Sequence, residues 1–208
     1  MEGIIKRELK NTAHQLEESS LLFTFSDAWN IRSFDDHRYY RWLSGLGFRG
    51  VDFVGIYQNK LVLIEVKNYR RREGMSRADA FQAVRNAPAA FALKMVEKVE
   101  DSLRIVRAVN SSYQRRWWFP LFLRLPDGLK RWYPQSYFWH TASKLAANPA
   151  NCVFVLWLDA DSDTIKVEKE IIETLMNNLT DKTHQITLAG QKNNPFATDV
   201  RVQDIWED

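Results

Sequence analysis

The chain has 208 residues, 45% apolar and 26% charged with eight tryptophans; this suffices for one sizeable core and excludes a disordered or low-complexity segment. Twenty-nine basic against twenty-six acidic side chains give +3, too near neutral for net charge to announce a polyanionic partner. Cys152 is the single cysteine, which excludes an intrachain disulfide and an all-cysteine zinc site. The longest apolar run, 152–158, is far short of a bilayer span, and no signal-peptide core follows Met1. The expectation is one domain over 1–208, cytoplasmic and without membrane association.

From 2 to 20, Ile5, Leu9, Ala13 and Leu16 recur every three or four positions, which predicts an amphipathic helix. Residues 21–25 read as a short strand. Ser33-Phe34-Asp35-Asp36 has the form of a helix start, and Gly45 and Gly47 close that helix. Segments 51–57 and 60–67, rich in branched and aromatic residues, predict a β-hairpin turning at Gln58-Asn59, although Asn-Gly would be the expected pair. Ser76 and Asp79 form a second capping box, whose helix must end near Ala87 because Pro88 follows. Pro88 opens a helix with Phe91, Met95, Val99, Leu103 and Val106 at helical spacing, running to about Asn110. The region 111–151 is the least regular, with a strand expected at 121–125 and a turn at Pro126-Asp127-Gly128. Residues 152–158 read as a central strand covered on both faces, 167–179 as a helix and 185–189 as a last strand. Alternating strands and helices of this kind imply an α/β fold, a sheet sandwiched by helices.

Chemistry concentrates in the hairpin. A turn centred between Gln58 and Asn59 pairs residues whose numbers sum to 117, so Asp52 faces Glu65, Val54 faces Leu63 and Ile56 faces Leu61. Side chains alternate, so Lys67 joins Asp52 and Glu65 at one end of an otherwise apolar surface. Two opposed carboxylates repel, and three arrangements relieve them: a raised pKa on one acid, an ion pair to Lys67, or a divalent cation held by both. The third uses all three residues. Mg²⁺ is held by carboxylates, waters and substrate phosphate, and a neighbouring ammonium orients the attacking water; the reaction is phosphodiester hydrolysis.

Asp52, followed after a hairpin by Glu65-Val66-Lys67, resembles the signature of the PD-(D/E)XK nuclease superfamily, with its restriction-endonuclease-like fold, a central mixed β-sheet flanked by helices. The likeness covers about 50–86. It implies a Mg²⁺- or Mn²⁺-dependent nuclease acting on nucleic acid, DNA by family habit. In that reading Asp52, Glu65 and the Val66 carbonyl are metal ligands, and Lys67 positions the nucleophilic water. Gln82, on the helix after the motif, matches an assisting Gln of one branch, although Asn86 stands where an aromatic often follows. For an added N-terminal acid, Glu8, Glu17 and Glu18 are equivalent. Asp52 follows Val51 where Pro is common. The competing reading is a nuclease-fold protein that does no chemistry and binds nucleic acid or another protein. Whether the active form is a homodimer that cuts both strands is left open.

Arg70, Arg71 and Arg72 leave the active end of a strand, where they either clamp phosphates or form a solvated loop. Between 111 and 140, basic residues interleave with aromatics. Rings fill cores more often than they stack on bases, and Trp132 and Tyr133 beside Lys130 and Arg131 are the expected exceptions, a nucleic-acid contact. Asp159, Asp161 and Asp163 lack the glycine and glutamate spacing of a calcium loop and read as an exposed turn, and the four histidines are scattered.

Overall fold

The computed structural model describes residues 14–34, 41, 44–70, 81–130, 132–161 and 165–205. Its strands are β1 (His14–Glu18), β2 (Leu21–Phe25), β3 (Asn30–Ser33), β4 (Phe53–Tyr57), β5 (Lys60–Tyr69), β6 (Cys152–Ala160), β7 (Gln185–Ala189) and β8 (Val200–Asp204). Its helices are α1 (Gln82–Asn86), α2 (Pro88–Gln114), α3 (Phe119–Arg124), α4 (Asp127–Lys130), α5 (Pro134–Ala146) and α6 (Ile165–Leu179).

β5 is the middle strand of a mixed five-stranded sheet ordered β3-β4-β5-β6-β7. It is antiparallel to β4 and parallel to β6, with β7 again parallel. The hairpin keeps the expected register, pairing Phe53 with Ile64, Val54 with Leu63 and Ile56 with Leu61. Gln58 and Asn59 have φ of 47° and 60°, the left-handed pair that a two-residue turn needs to match strand twist. Parallel pairing of β5 with β6, and of β6 with β7, requires long crossovers, and α2, α5 and α6 lie in them. Eight of the nine residues of β6 are buried, as a central strand covered on both faces demands.

The two faces of this sheet are covered differently. Val54, Leu61, Leu63, Phe154 and Leu156 pack against the helices through Val99, Val106, Trp139 and Leu175. Phe53, Val62, Ile64, Val155 and Trp157 on the other face meet Leu21, Phe23, Phe25 and Val200. These belong to a second, antiparallel sheet ordered β1-β2-β8. The Phe23 ring lies 5.4 Å from Phe53 and 5.2 Å from Trp157, edge to face. The architecture is therefore mixed α/β, with helices on one face and, among the described residues, a three-stranded sheet where helices were expected on the other.

Several expected elements differ. Residues 14–18, read as the end of a helix, form β1. Ser19 and Ser20, at φ of 51° and 62°, reverse the chain in two residues, and pairing with β2 outweighs local helical preference. Residues 121–125 are not a strand: Pro120 sits in the first turn of α3, and Phe119 and Phe122, one turn apart, are buried together. Pro126-Asp127-Gly128 leads into the short α4 instead of a simple turn, and α5 was not foreseen. Ser33 ends β3, and Ser76, Asp79 and residues 1–13 lie outside the described residues. The breaks at Ala87 and Pro88 fall as expected, with α2 continuing to Gln114.

Candidate active site

The hairpin and α2 together assemble the charged cluster. Ser102 Oγ accepts the Val51 N–H at 2.9 Å, and Asp101 Oδ2 accepts the Arg49 N–H at 3.0 Å. This fixes the chain leading into β4, so Asp52 arrives opposite Glu65. Asp52 Oδ2 accepts the Val66 N–H at 2.7 Å, an interstrand bond made by a side chain where the β4 ladder has ended.

Glu65 is fully buried. Its Oε1 lies 2.5 Å from Lys67 Nζ and 2.6 Å from Lys98 Nζ, while Oε2 is buried with no hydrogen-bond partner. Lys67 Nζ also donates to the Val66 carbonyl at 3.1 Å. Burial raises the Asp52 pKa to about 7, and the charge of Glu65 adds to this; the Val66 hydrogen bond and the two lysines oppose it. For Lys67 burial favours the neutral amine, but the Glu65 charge and hydrogen bond, aided by Asp52, outweigh it and hold the pKa above its ordinary value. Burial likewise pushes the Tyr69 phenol up; its ring lies 5.4 Å from that of Phe81, which precedes α1.

Of the three ways to relieve opposed carboxylates, the chain by itself adopts the first two, with a second ammonium added. The third, a cation, is tested by the donors present: a buried Glu65 oxygen without a partner, an aspartate across the hairpin and a strand carbonyl are hard oxygen groups of the kind Mg²⁺ or Mn²⁺ takes. Among the described residues no three His, Cys, Asp or Glu side chains come together as a metal cage. Glu17 is exposed on β1, Glu18 Oε1 accepts the Ser19 hydroxyl at 3.0 Å, and Glu8 lies outside the described residues.

Asp52, Glu65, Val66 and Lys67 are thus brought together. Gln82 starts α1 exposed, and its amide donates to Asn86 Oδ1 at 2.8 Å. Arg70 turns away from the carboxylates: Nη1 lies 2.7 Å from both Gln191 Oε1 and Asp204 Oδ2. It borders a cavity of about 490 Å³ at the C-terminal ends of β6 and β7. Arg71, Arg72 and Arg131 lie outside the described residues, and Lys130 ends α4 beside His140. Asp159 is buried, not exposed, accepting from Trp157 Nε1 at 2.7 Å and Gln191 N at 2.9 Å.

Lys98 was not foreseen. Its signal was present, since Met95, Lys98 and Ser102 stand three and four residues apart on a helix whose inward stripe holds Met95 and Ser102. A lysine in such a stripe needs an acid to face. No helix among the described residues is long and apolar enough to cross a membrane. No protein-family model matches the chain, and neither the curated proteins nor the solved structures contain a match to it.

Proposed function

We propose that this protein is a metal-dependent nuclease of restriction-endonuclease-like fold that hydrolyses nucleic-acid phosphodiesters, DNA first among them. The observation that carries the reading is Glu65, a fully buried carboxylate with one oxygen left unpartnered across the hairpin from Asp52. Burying a carboxylate oxygen without a partner is costly, and a cation shared with Asp52 would satisfy Oε2. The mixed five-stranded sheet, with the motif hairpin at its centre, supports the resemblance drawn from the sequence.

Asp52, Glu65 and the Val66 carbonyl would hold Mg²⁺ or Mn²⁺, which supplies Lewis acidity and a polarised water when bound. Lys67, more exposed than Glu65, would orient that water and meet the phosphate. Lys98 donates to Glu65 Oε1 at 2.6 Å and would help hold that carboxylate in position.

A second reading has a specific observation behind it: two ammonium groups already balance Glu65, as in a nuclease fold that does no chemistry and serves only to bind. Plasmid nicking separates the two. Nicking that requires Mg²⁺ or Mn²⁺ and disappears in Glu65→Ala and Asp52→Asn is the expected result. Nicking that survives both substitutions, or no nicking with either metal, overturns the assignment.

A further inference from the structure

We propose that residues 115–130 together with Trp132 and Tyr133 form a docking face for the surface of an anionic lipid bilayer. Trp117 is 85% exposed and Trp132 80%, and Leu121, Leu123, Leu129 and Tyr133 are exposed with them. Monomeric soluble proteins rarely cluster so many large apolar groups in water, and such clusters mark interaction sites. The face is built, not frayed. Phe119 and Phe122 are buried, with ring centroids 5.7 and 6.3 Å from His140, and Trp118 stacks on Tyr133 at 6.0 Å. Phe119 and Phe122 therefore anchor α3, while Leu121 and Leu123 on different sides of that helix and the indoles of Trp117 and Trp132 stay exposed.

Charge selects the partner. From 115 to 133 the sequence holds five basic residues and a single acid, Asp127, whereas the rest of the chain has twenty-four basic against twenty-five acidic. Arg115, Arg116 and Arg124 are exposed beside the apolar residues. Indole, phenol and leucine side chains bordered by arginines match the headgroup boundary, where rings sit among carbonyls, aliphatic groups reach the acyl region and guanidinium groups pair with phosphates. Among the described residues no helix is long and apolar enough to cross a membrane, so the contact proposed is peripheral and departs from the expectation of no membrane association.

A single nucleic-acid strand is the rival occupant, and two observations favour the bilayer. Three of the six exposed apolar residues are leucines, which have no π-face to stack on a base. The face also springs from the end of the molecule away from the carboxylates. Lys98 meets Glu65, and sixteen residues of α2, about 24 Å of helix, separate it from Gln114. At the other end of the face, Pro134 and Tyr137 line a cavity with Gln58 and Asn59, the turn remote from Glu65.

The test is sedimentation of the full chain with vesicles of phosphatidylcholine alone or with half phosphatidylglycerol, beside anisotropy titration of a single-stranded oligonucleotide. Binding to the anionic vesicles is expected to exceed neutral binding roughly tenfold and to fall roughly tenfold in Trp117→Ser/Trp132→Ser and in Arg115→Gln/Arg116→Gln/Arg124→Gln. These positions are exposed, and unchanged circular dichroism confirms the fold. Glu65→Ala is expected to bind vesicles normally, so the result stands apart from the nuclease reading. Absence of anionic-vesicle binding overturns the proposal, as does binding insensitive to the two tryptophans. Loss of oligonucleotide binding or of self-association in the tryptophan variant, with vesicle binding intact, overturns it in favour of nucleic acid or a second copy.

Discussion

Lys98 Nζ lies 2.6 Å from Glu65 Oε1, so a residue on α2 and a residue on β5, thirty-three positions apart in sequence, share one buried ion pair. With Lys67 on the same oxygen, the carboxylate is clamped between its own strand and the helix layer.

Replacing Lys98 by Met leaves Glu65 buried with one ammonium. The expected cost is about 1–3 kcal/mol in urea unfolding, below that of a fully orphaned charge because Lys67 remains. Adding Glu65→Gln is expected to recover part of this loss, a coupling that a double-mutant cycle reads directly. Additive losses would show the pair to be energetically idle.

Asp52 sets a pH dependence. Its pKa is about 7 in the folded protein against 3.8 ordinarily, so between these values the folded state binds the proton that the unfolded state has released. Stability from this group is therefore greatest below about pH 4, falls as pH rises to 7 and is level above. Asp52→Asn should remove that slope and raise the metal-free Tm at pH 8, an effect of about 1–2 kcal/mol. A Tm difference that does not vary between pH 4 and 8 contradicts the shifted carboxyl.

Divalent metal should reverse this penalty. Mn²⁺ in hundredfold excess over its dissociation constant is expected to stabilise by about 2.7 kcal/mol, seen as a raised Tm at pH 8. Below pH 7 protons compete for Asp52, so affinity should fall about tenfold per pH unit. Glu65→Ala should abolish the metal-dependent shift, whatever its effect on baseline stability.

The hairpin turn offers a control away from the site. Asn59 sits at φ 60°, where glycine carries no Cβ penalty, so Asn59→Gly should be neutral or stabilising by up to about 1 kcal/mol, and Asn59→Val destabilising by about 1–2 kcal/mol. Urea midpoints of the two variants give the order.

What could be read ahead of the coordinates was what depends on neighbours along the chain. The hairpin register followed from alternation and turn position alone, and with it the meeting of Asp52, Glu65 and Lys67. The course of β6 followed from its unbroken apolar run, and the start of α2 from Pro88. What escaped depends on distant partners. His14–Glu18 is a strand only because β2 pairs with it, and β8 is a short charged edge that pairs back to β2 across the whole chain. The alternating leucines of 121–125 imitate a strand, and burial of Phe119 with Phe122 decides for a helix. Lys98 escaped because a single basic residue on a long helix ordinarily faces water; only the packing of α2 onto β5 turns it inward.

β5 pairs on one side with its hairpin neighbour and on the other with β6, where Leu61 meets Cys152 ninety-one positions later. A nascent chain can close the hairpin while most of the polypeptide is still being made, whereas the strand that seals its far edge arrives much later. Lys67 is carried on the same hairpin as the two acids, whereas Lys98 reaches Glu65 only where α2 packs onto β5. Taking the acids out of water is thus coupled to the docking of the helix layer, which brings the second ammonium.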